Sequence, residues 1–197
     1  MTITPDCNTI LKLAEKYSIV PVCREIYADV TTPITLLRKL TGFSKRYYLL
    51  ESIEGGETWG RYSFLGYDPV MRVTCRDRKV YIEKQGKTET VETEKPLHVL
   101  REIMKDYKSP RLSGMPPFTG GFVGYFGYSM VGFAEPVLNI KKGTFPDYDV
   151  MLFDKVIAYD HLKQKICIIV NMRTDKVMEN YGEATAEIAR IAGLIKS

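Results

Sequence analysis

Apolar residues recur along this chain at two spacings, one typical of helices and one typical of strands. The clearest helix start is Thr31-Thr32-Pro33, where a Thr cap precedes Pro at the first helical position, and Gly42 ends that helix. Apolar residues three and four positions apart predict four helices in all, over residues 8–17, 32–41, 96–107 and 176–195.

Short runs of β-branched and aromatic residues between these helices predict strands. The runs cover residues 18–26, 46–53, 61–67, 70–76, 79–84, 88–92, 149–159 and 165–171. Turn sequences separate three of them as in a meander of antiparallel hairpins, and another turn joins the last two. Because strands outnumber helices and do not alternate strictly with them, we expect an α+β fold, a largely antiparallel β-sheet with several flanking helices. We take residues 1–197 as a single domain.

The stretch from Pro116 to Tyr128 interleaves glycine with aromatic residues. Its spacing differs from the G-x-G-x-x-G pattern of nucleotide-binding loops. Glycines that alternate with aromatic residues in a strand usually mark a close approach of another backbone. We therefore interpret this stretch as structural.

The charge balance argues against a polyanionic partner. The chain has 28 basic and 24 acidic residues, for a net charge of +4. The densest basic cluster alternates with apolar residues across a predicted hairpin, which favours a solvated outer face; its members are Arg72, Arg76, Arg78 and Lys79. We predict no nucleic-acid partner.

Other functional classes find little support in the sequence. It has no secretory signal and no apolar run of about 18 residues, so we predict no membrane contact and a cytoplasmic location. The four cysteines lack Cys-x-x-Cys spacing, and we interpret them as small buried thiols in a reducing compartment. With two distant histidines and no nucleophile motif, the sequence offers no candidate catalytic residue, no metal site and no cofactor site.

Glu51 is the most informative single residue, because it follows the apolar run Tyr47–Leu50. A carboxylate inside an apolar strand costs several kcal/mol unless cations or hydrogen-bond donors surround it. Glu51 either lies on a solvated face or pairs with Arg61, or else Glu51 and Ser52 receive the ammonium group of a small ligand. Neighbouring strand residues face opposite sides, so the ligand reading requires a bulge or a backbone contact.

Four segments together resemble the N-terminal domain of anthranilate synthase component I, a chorismate-utilising enzyme. They occur in the family's order, and the resemblance as a whole covers roughly residues 21–170; the four segments are Leu49–Ser52, Gly60–Gly66, Pro117–Phe126 and Pro146–His161. The resemblance implies half of a larger two-part sheet architecture, without the C-terminal, chorismate-binding catalytic part. It also implies that this part alone is inactive.

The same resemblance implies a regulatory role. Family members convert chorismate and ammonia, or glutamine through an amidotransferase partner called component II, into anthranilate and pyruvate, with magnesium bound in the catalytic part. Tryptophan inhibits this step of tryptophan biosynthesis. The family's Leu-Leu-Glu-Ser segment belongs to the tryptophan pocket, which maps onto Leu50, Glu51 and Ser52 of this chain.

Two alternatives stay open at the level of sequence. The N-terminal domain of aminodeoxychorismate synthase component I, from folate synthesis, is similar but tends to carry Asp where Glu51 stands. The second alternative is a stand-alone β-rich binding module, for example for RNA, and salt-dependent oligonucleotide binding would favour it.

Overall fold

The computed structural model describes residues 2–29, 31–51, 60–135, 137–138, 140 and 143–196. Within these residues the strands are β1 (Ile3–Thr4), β2 (Ile19–Tyr27), β3 (Tyr47–Leu50), β4 (Tyr62–Tyr67), β5 (Met71–Arg76), β6 (Lys79–Lys84), β7 (Lys87–Glu92), β8 (Gly121–Phe126), β9 (Tyr148–Phe153), β10 (Lys155–Asp160) and β11 (Lys165–Arg173). The α-helices are α1 (Cys7–Leu13), α2 (Pro33–Thr41), α3 (Pro96–Lys105), α4 (Val131–Ala134) and α5 (Val177–Lys196), and a 3-10 turn covers Tyr128–Met130.

The strands form two antiparallel sheets, one in each of two compact units. The first unit comprises residues 1–68, 107–120 and 154–197, and its six-stranded sheet has the order β1-β2-β11-β10-β4-β3. The second unit comprises residues 69–106 and 121–153, and its five-stranded sheet has the order β7-β6-β5-β9-β8. The predicted α+β class with antiparallel sheet is confirmed.

Helices α1, α2 and α5 cover one face of the six-stranded sheet. The start of α2 is as the sequence predicts: Pro33 is the first helical residue, and the side chain of Thr32 accepts a hydrogen bond from the Thr35 N–H. The apolar stripe of α5 packs on the central strands, and its residues Ile188 and Ile191 are fully buried. Truncating either isoleucine to Ala would cost about 2–5 kcal/mol by the usual scale for core residues.

The opposite face of this sheet carries a smaller apolar cluster. Its buried members come from β2, β10 and β11, and the side chains of Met115 and Phe118 pack against them from the loop that follows α3. Two of these members, Cys23 and Cys167, form a disulfide whose Cα atoms are 6.4 Å apart. The expectation that all four cysteines are reduced thiols is therefore wrong for this pair. The cause is register: Ile169 lies opposite Cys23, which makes Cys167 its diagonal neighbour on the same face.

The second unit contains the predicted meander. Strands β5, β6 and β7 pair in succession through two-residue loops. The loop residues Asp77 and Arg78 both have positive φ, at 50° and 67°, as the tight turns favoured in hairpins require. The close approach expected in the aromatic-glycine stretch is confirmed at Gly124, where an added Cβ would overlap the backbone of Asp149 and Val150.

One predicted strand is in fact two. Residues 149–159 were expected to form a single long strand, but the run breaks at Asp154. Strand β9 pairs with β5 and β8 in one sheet, whereas β10 pairs with β4 and β11 in the other. At the break, the backbone carbonyl of Asp154 accepts hydrogen bonds from the backbone and the side chain of Asn171.

Candidate functional site

Glu51 directly follows the last residue of the edge strand β3. Leu50 lies opposite Phe64 in the pairing of β3 with β4, so Glu51 comes next to Ser63. The Glu51 side chain is exposed, and one of its carboxylate oxygens accepts a hydrogen bond from the Ser63 hydroxyl at 3.4 Å. Of the settings considered from the sequence, the solvated one is observed, because the strand ends at Leu50 and Glu51 does not lie inside it. Water reaches the carboxylate, so its charge carries no large burial cost.

Leu50 presents apolar surface at the same end of the strand but on the opposite face. Its side chain is 45% exposed. Leu50 shares its face with Tyr48 and Phe64, both of which contact Phe118, whereas Glu51 bonds to Ser63 on the helix-covered face. A single ligand that contacts both Leu50 and Glu51 therefore has to lie across the end of β3.

Ser52, the third residue expected in the site, lies outside the described residues, as does the rest of the segment up to residue 59. The expectation that Ser52 binds a ligand stays a prediction. The same holds for Leu50 and Glu51, whose positions are known without a bound ligand.

Ser63 connects Glu51 to a histidine from a third strand. The Ser63 side chain is fully buried, and its hydroxyl oxygen lies 2.7 Å from Nε2 of His161. His161 directly follows β10, and its ring packs on Tyr159 with ring centres 4.7 Å apart. Strands β3, β4 and β10 thus present Glu51, Ser63 and His161 in a row. Sequence reasoning missed this row because Ser63 and His161 are 98 residues apart and share no motif.

Arg61 pairs with Asp160 and not with Glu51. Its guanidinium donates hydrogen bonds to both carboxylate oxygens of Asp160, the shortest at 2.6 Å. Asp160 also accepts the backbone N–H groups of Leu162 and Lys163, which closes the turn after β10. Burial works to raise the pKa of Asp160, but the hydrogen bonds from Arg61 and from these N–H groups outweigh it, so its pKa is lowered.

A small polar cleft of about 200 Å³ adjoins this ion pair, on the face that carries the disulfide. A second ion pair, Lys165 with Glu25, lines the cleft at 2.8 Å. The side chain of Lys163 adds a further positive charge. Most of the charge in this cleft is thus neutralised by partners within the chain.

Each cation of the basic hairpin cluster also has an acceptor. Arg72 forms a bidentate pair with Asp149, and Arg76 donates to the carbonyl oxygen of Thr144. The remaining two pairs join Arg78 to Glu94 and Lys79 to Glu92. All four cations are therefore paired with acceptors within the second unit.

Two further observations bear on cofactors and membranes. Across the described parts of the chain, no group of three or more His, Cys, Asp and Glu side chains is arranged to hold a metal ion. No helix among the same residues is long and apolar enough to cross a membrane.

Comparison with known proteins identifies relatives over most of the chain. It is 39% identical over 178 residues to anthranilate synthase component 1 of Acetivibrio thermocellus and 33% identical over 192 residues to that of Aquifex aeolicus. These matches cover 89% and 96% of this chain but only 36% and 39% of the two relatives. No family model matches the chain.

A solved structure agrees with these relatives. The crystal structure of anthranilate synthase component I from Streptococcus pneumoniae superimposes with a TM-score of 0.57 at 26% identity. The match covers 88% of this chain and 37% of that one. Sequence and fold thus agree that nearly the whole of this chain is similar to part of anthranilate synthase component 1.

Proposed function

We propose that this chain is the N-terminal, tryptophan-binding part of an anthranilate synthase component 1. The observation that carries the proposal is the position of Glu51, an exposed carboxylate at the end of an edge strand in a chain similar to this synthase component. In this proposal Glu51 accepts the ammonium group of tryptophan, Ser52 hydrogen-bonds its head group, and Leu50 contacts the indole. The proposal requires both side chains to be accessible to a ligand, and Leu50 and Glu51 are both exposed.

The proposed role is feedback inhibition. The complete synthase converts chorismate and ammonia, or glutamine through component II, into anthranilate and pyruvate. Tryptophan inhibits it by binding one arrangement of its parts more tightly than another, since a ligand shifts an equilibrium only through such a difference. Magnesium and the catalytic residues are assigned to the part of the synthase beyond this chain. In this proposal the chain itself supplies neither, and we expect the isolated chain to form no anthranilate.

The proposed partners and location follow from the same similarity. The partners are tryptophan, the catalytic part of the same polypeptide and the component II subunit. The proposed compartment is the cytoplasm, although the Cys23–Cys167 disulfide is a feature more usual in oxidising compartments. Thiol alkylation in freshly lysed cells, followed by mass spectrometry, measures how much of this cysteine pair is oxidised there.

Both alternative functions have weaker support. The relatives reported above are named anthranilate synthases, and none of them is named for folate synthesis. For the RNA-binding alternative, the basic cluster is engaged by acceptors within its own unit. A titration with a generic oligonucleotide at low salt tests that alternative, and we expect no binding that falls steeply with added salt.

The decisive experiment replaces Glu51 in the intact synthase polypeptide. A charged hydrogen bond contributes about 1.5–3 kcal/mol, so Glu51→Gln should raise the tryptophan concentration for half-inhibition by about 10- to 100-fold. Turnover of chorismate, followed by anthranilate fluorescence, should stay within about twofold of the parent, because the residue lies outside the proposed catalytic part.

Two variants complete this experiment. Ser52→Ala should also weaken inhibition, whereas Glu15→Gln, at an exposed carboxylate outside the proposed site, should leave inhibition unchanged. If both site variants keep the parent's full sensitivity to tryptophan, the proposed site is wrong.

A further inference from the structure

The row Glu51–Ser63–His161 contains more hydrogen-bonding groups than the proposed tryptophan site uses. Ser63 is fully buried, lies 3.4 Å from a Glu51 carboxylate oxygen and lies 2.7 Å from Nε2 of His161. A buried hydroxyl that lies between two polar groups is costly unless its hydrogen bonds are satisfied. The positions of the protons in this row therefore determine whether the Glu51 carboxylate accepts a hydrogen bond from Ser63.

The direction of the hydrogen bonds depends on the tautomer of His161 and on which neighbour receives the Ser63 proton. A serine hydroxyl has one proton to donate, and an ionised carboxylate can only accept. When Ser63 gives its proton to Glu51, its oxygen is left to accept from His161. Nε2 of His161 must then carry a proton, and the hydrogen bonds run from His161 through Ser63 to Glu51.

The surrounding residues hold His161 in place for this role. Its ring contacts Tyr159, whose hydroxyl donates to the backbone carbonyl of Thr31 at 3.3 Å. The backbone N–H of His161 donates to the carbonyl oxygen of Arg61 at 2.8 Å. Ring and backbone are thus both anchored, whereas Glu51 itself is exposed and follows the last residue of β3.

We propose that Ser63 and His161 are positioning residues for the ammonium site at Glu51. The hydrogen bond from Ser63 restrains the exposed Glu51 side chain and aims its second oxygen at the ligand, and His161 keeps Ser63 in the donating orientation. Such a supporting layer favours binding because less rotational freedom of the carboxylate is lost when the ligand arrives. This inference rests on the proposed function and adds the residues that orient its carboxylate.

The test uses the intact synthase polypeptide and two ligands that differ in a single group. Tryptophan carries the ammonium group, whereas indole-3-propionate has the same indole and carboxylate without it. His161→Phe keeps a ring against Tyr159 but removes the N–H donor. We expect this variant to bind tryptophan about fivefold more weakly and indole-3-propionate with unchanged affinity.

A conservative variant separates hydrogen bonding from packing. The side-chain amide of Gln places an N–H donor near the position of Nε2, so His161→Gln should restore tryptophan binding to within about twofold of the parent. Ser63→Ala removes the middle group with little change in volume and should repeat the selective loss. It also serves as the test if His161→Phe does not fold, which circular dichroism melting will show.

The outcomes distinguish this inference from the proposed function. An equal loss of both ligands in His161→Phe and Ser63→Ala, or no loss of either, overturns the positioning role. If Glu51→Gln weakens tryptophan binding while these variants do not, only the positioning role fails. If Glu51→Gln itself has no effect, the proposed ammonium site fails as well.

Discussion

Arg61 and Asp160 form a multiply hydrogen-bonded ion pair in the first unit. Arg61 donates to both carboxylate oxygens of Asp160, which in turn accepts two backbone N–H groups from the turn after β10. Asp160 is almost fully buried, with 7% of its surface exposed. The pair fixes the start of β4 against the end of β10, which is where Ser63 and His161 meet.

Replacing Asp160 should therefore destabilise the fold. Asp160→Ala leaves the guanidinium of Arg61 and two N–H groups without their acceptor, and bonds of this charged type contribute about 1.5–3 kcal/mol. We expect the free energy of unfolding in urea to fall by about 2–3 kcal/mol. Glu15→Ala, at an exposed carboxylate, is the control and should change it by less than about 0.5 kcal/mol. A loss no larger than the control's would mean that solvent replaces the lost acceptor.

The same pair predicts how stability depends on pH. The pKa of Asp160 is lower in the folded chain than in the unfolded chain, so folding favours the ionised carboxylate. Its contribution is present above the unfolded pKa of about 3.9 and is lost as the pH falls through the folded value. Urea unfolding of the parent and of Asp160→Ala should therefore differ by a constant amount from about pH 7 to pH 5 and converge below about pH 4. A gap that widens on acidification would contradict the assigned sign.

The hydroxyl group of Tyr67 links α5 to the six-stranded sheet by hydrogen bonds. The ring is buried, and the hydroxyl donates to Glu187 at 3.1 Å and accepts from Arg190 at 2.6 Å. Tyr67→Phe removes both bonds and leaves the ring in place. We expect it to lower the free energy of unfolding by about 1–2 kcal/mol, measured in urea.

A matched variant checks that this loss comes from the hydrogen bonds. Tyr81 on β6 is partly exposed, so Tyr81→Phe should leave stability nearly unchanged. If Tyr67→Phe lowers the free energy of unfolding no more than Tyr81→Phe does, the hydrogen bonds from Tyr67 to α5 contribute little to stability.

Sequence patterns predicted the elements whose signals are local. Thr32 and Pro33 mark the start of α2, and two short turn sequences mark the hairpins, because capping and turn geometry depend on a few neighbouring residues. The break at Asp154 was missed, since residues 149–159 contain neither Gly nor Pro, and the two halves differ only in their partner strands.

The candidate site was predictable only in part, for the same reason. Glu51 stands out within its own segment, and the family resemblance adds Leu50 and Ser52. Ser63 and His161 become neighbours through the pairing of β4 with β10, which no local pattern encodes. The disulfide between Cys23 and Cys167 likewise depends on the register of β2 against β11.

Two glycines of α5, one near its start and one in its last turn, offer a way to stabilise the chain. Gly182 and Gly193 are exposed, and an added Cβ would meet no atom within 4 Å at either position. Ala is about 0.8–1.0 kcal/mol more favourable than Gly in a helix interior, mainly because it restricts the unfolded chain. Gly182→Ala and Gly193→Ala should each raise the free energy of unfolding by about that amount, and their effects should add.

Gly124 on β8 is the opposing control for these variants. There the added methyl group would overlap the carbonyl oxygen of Asp149 and the Cα atom of Val150 on the paired strand. These backbone atoms cannot move without disturbing β9. Gly124→Ala should therefore lower the free energy of unfolding by about 1–3 kcal/mol, the usual cost of forcing extra atoms into a packed site. Urea unfolding monitored by circular dichroism measures all three variants under one condition. If Gly124→Ala is as stable as the parent, the close approach of β8 to β9 is wrong, whereas a loss in Gly182→Ala would show that α5 is not a regular helix at that position.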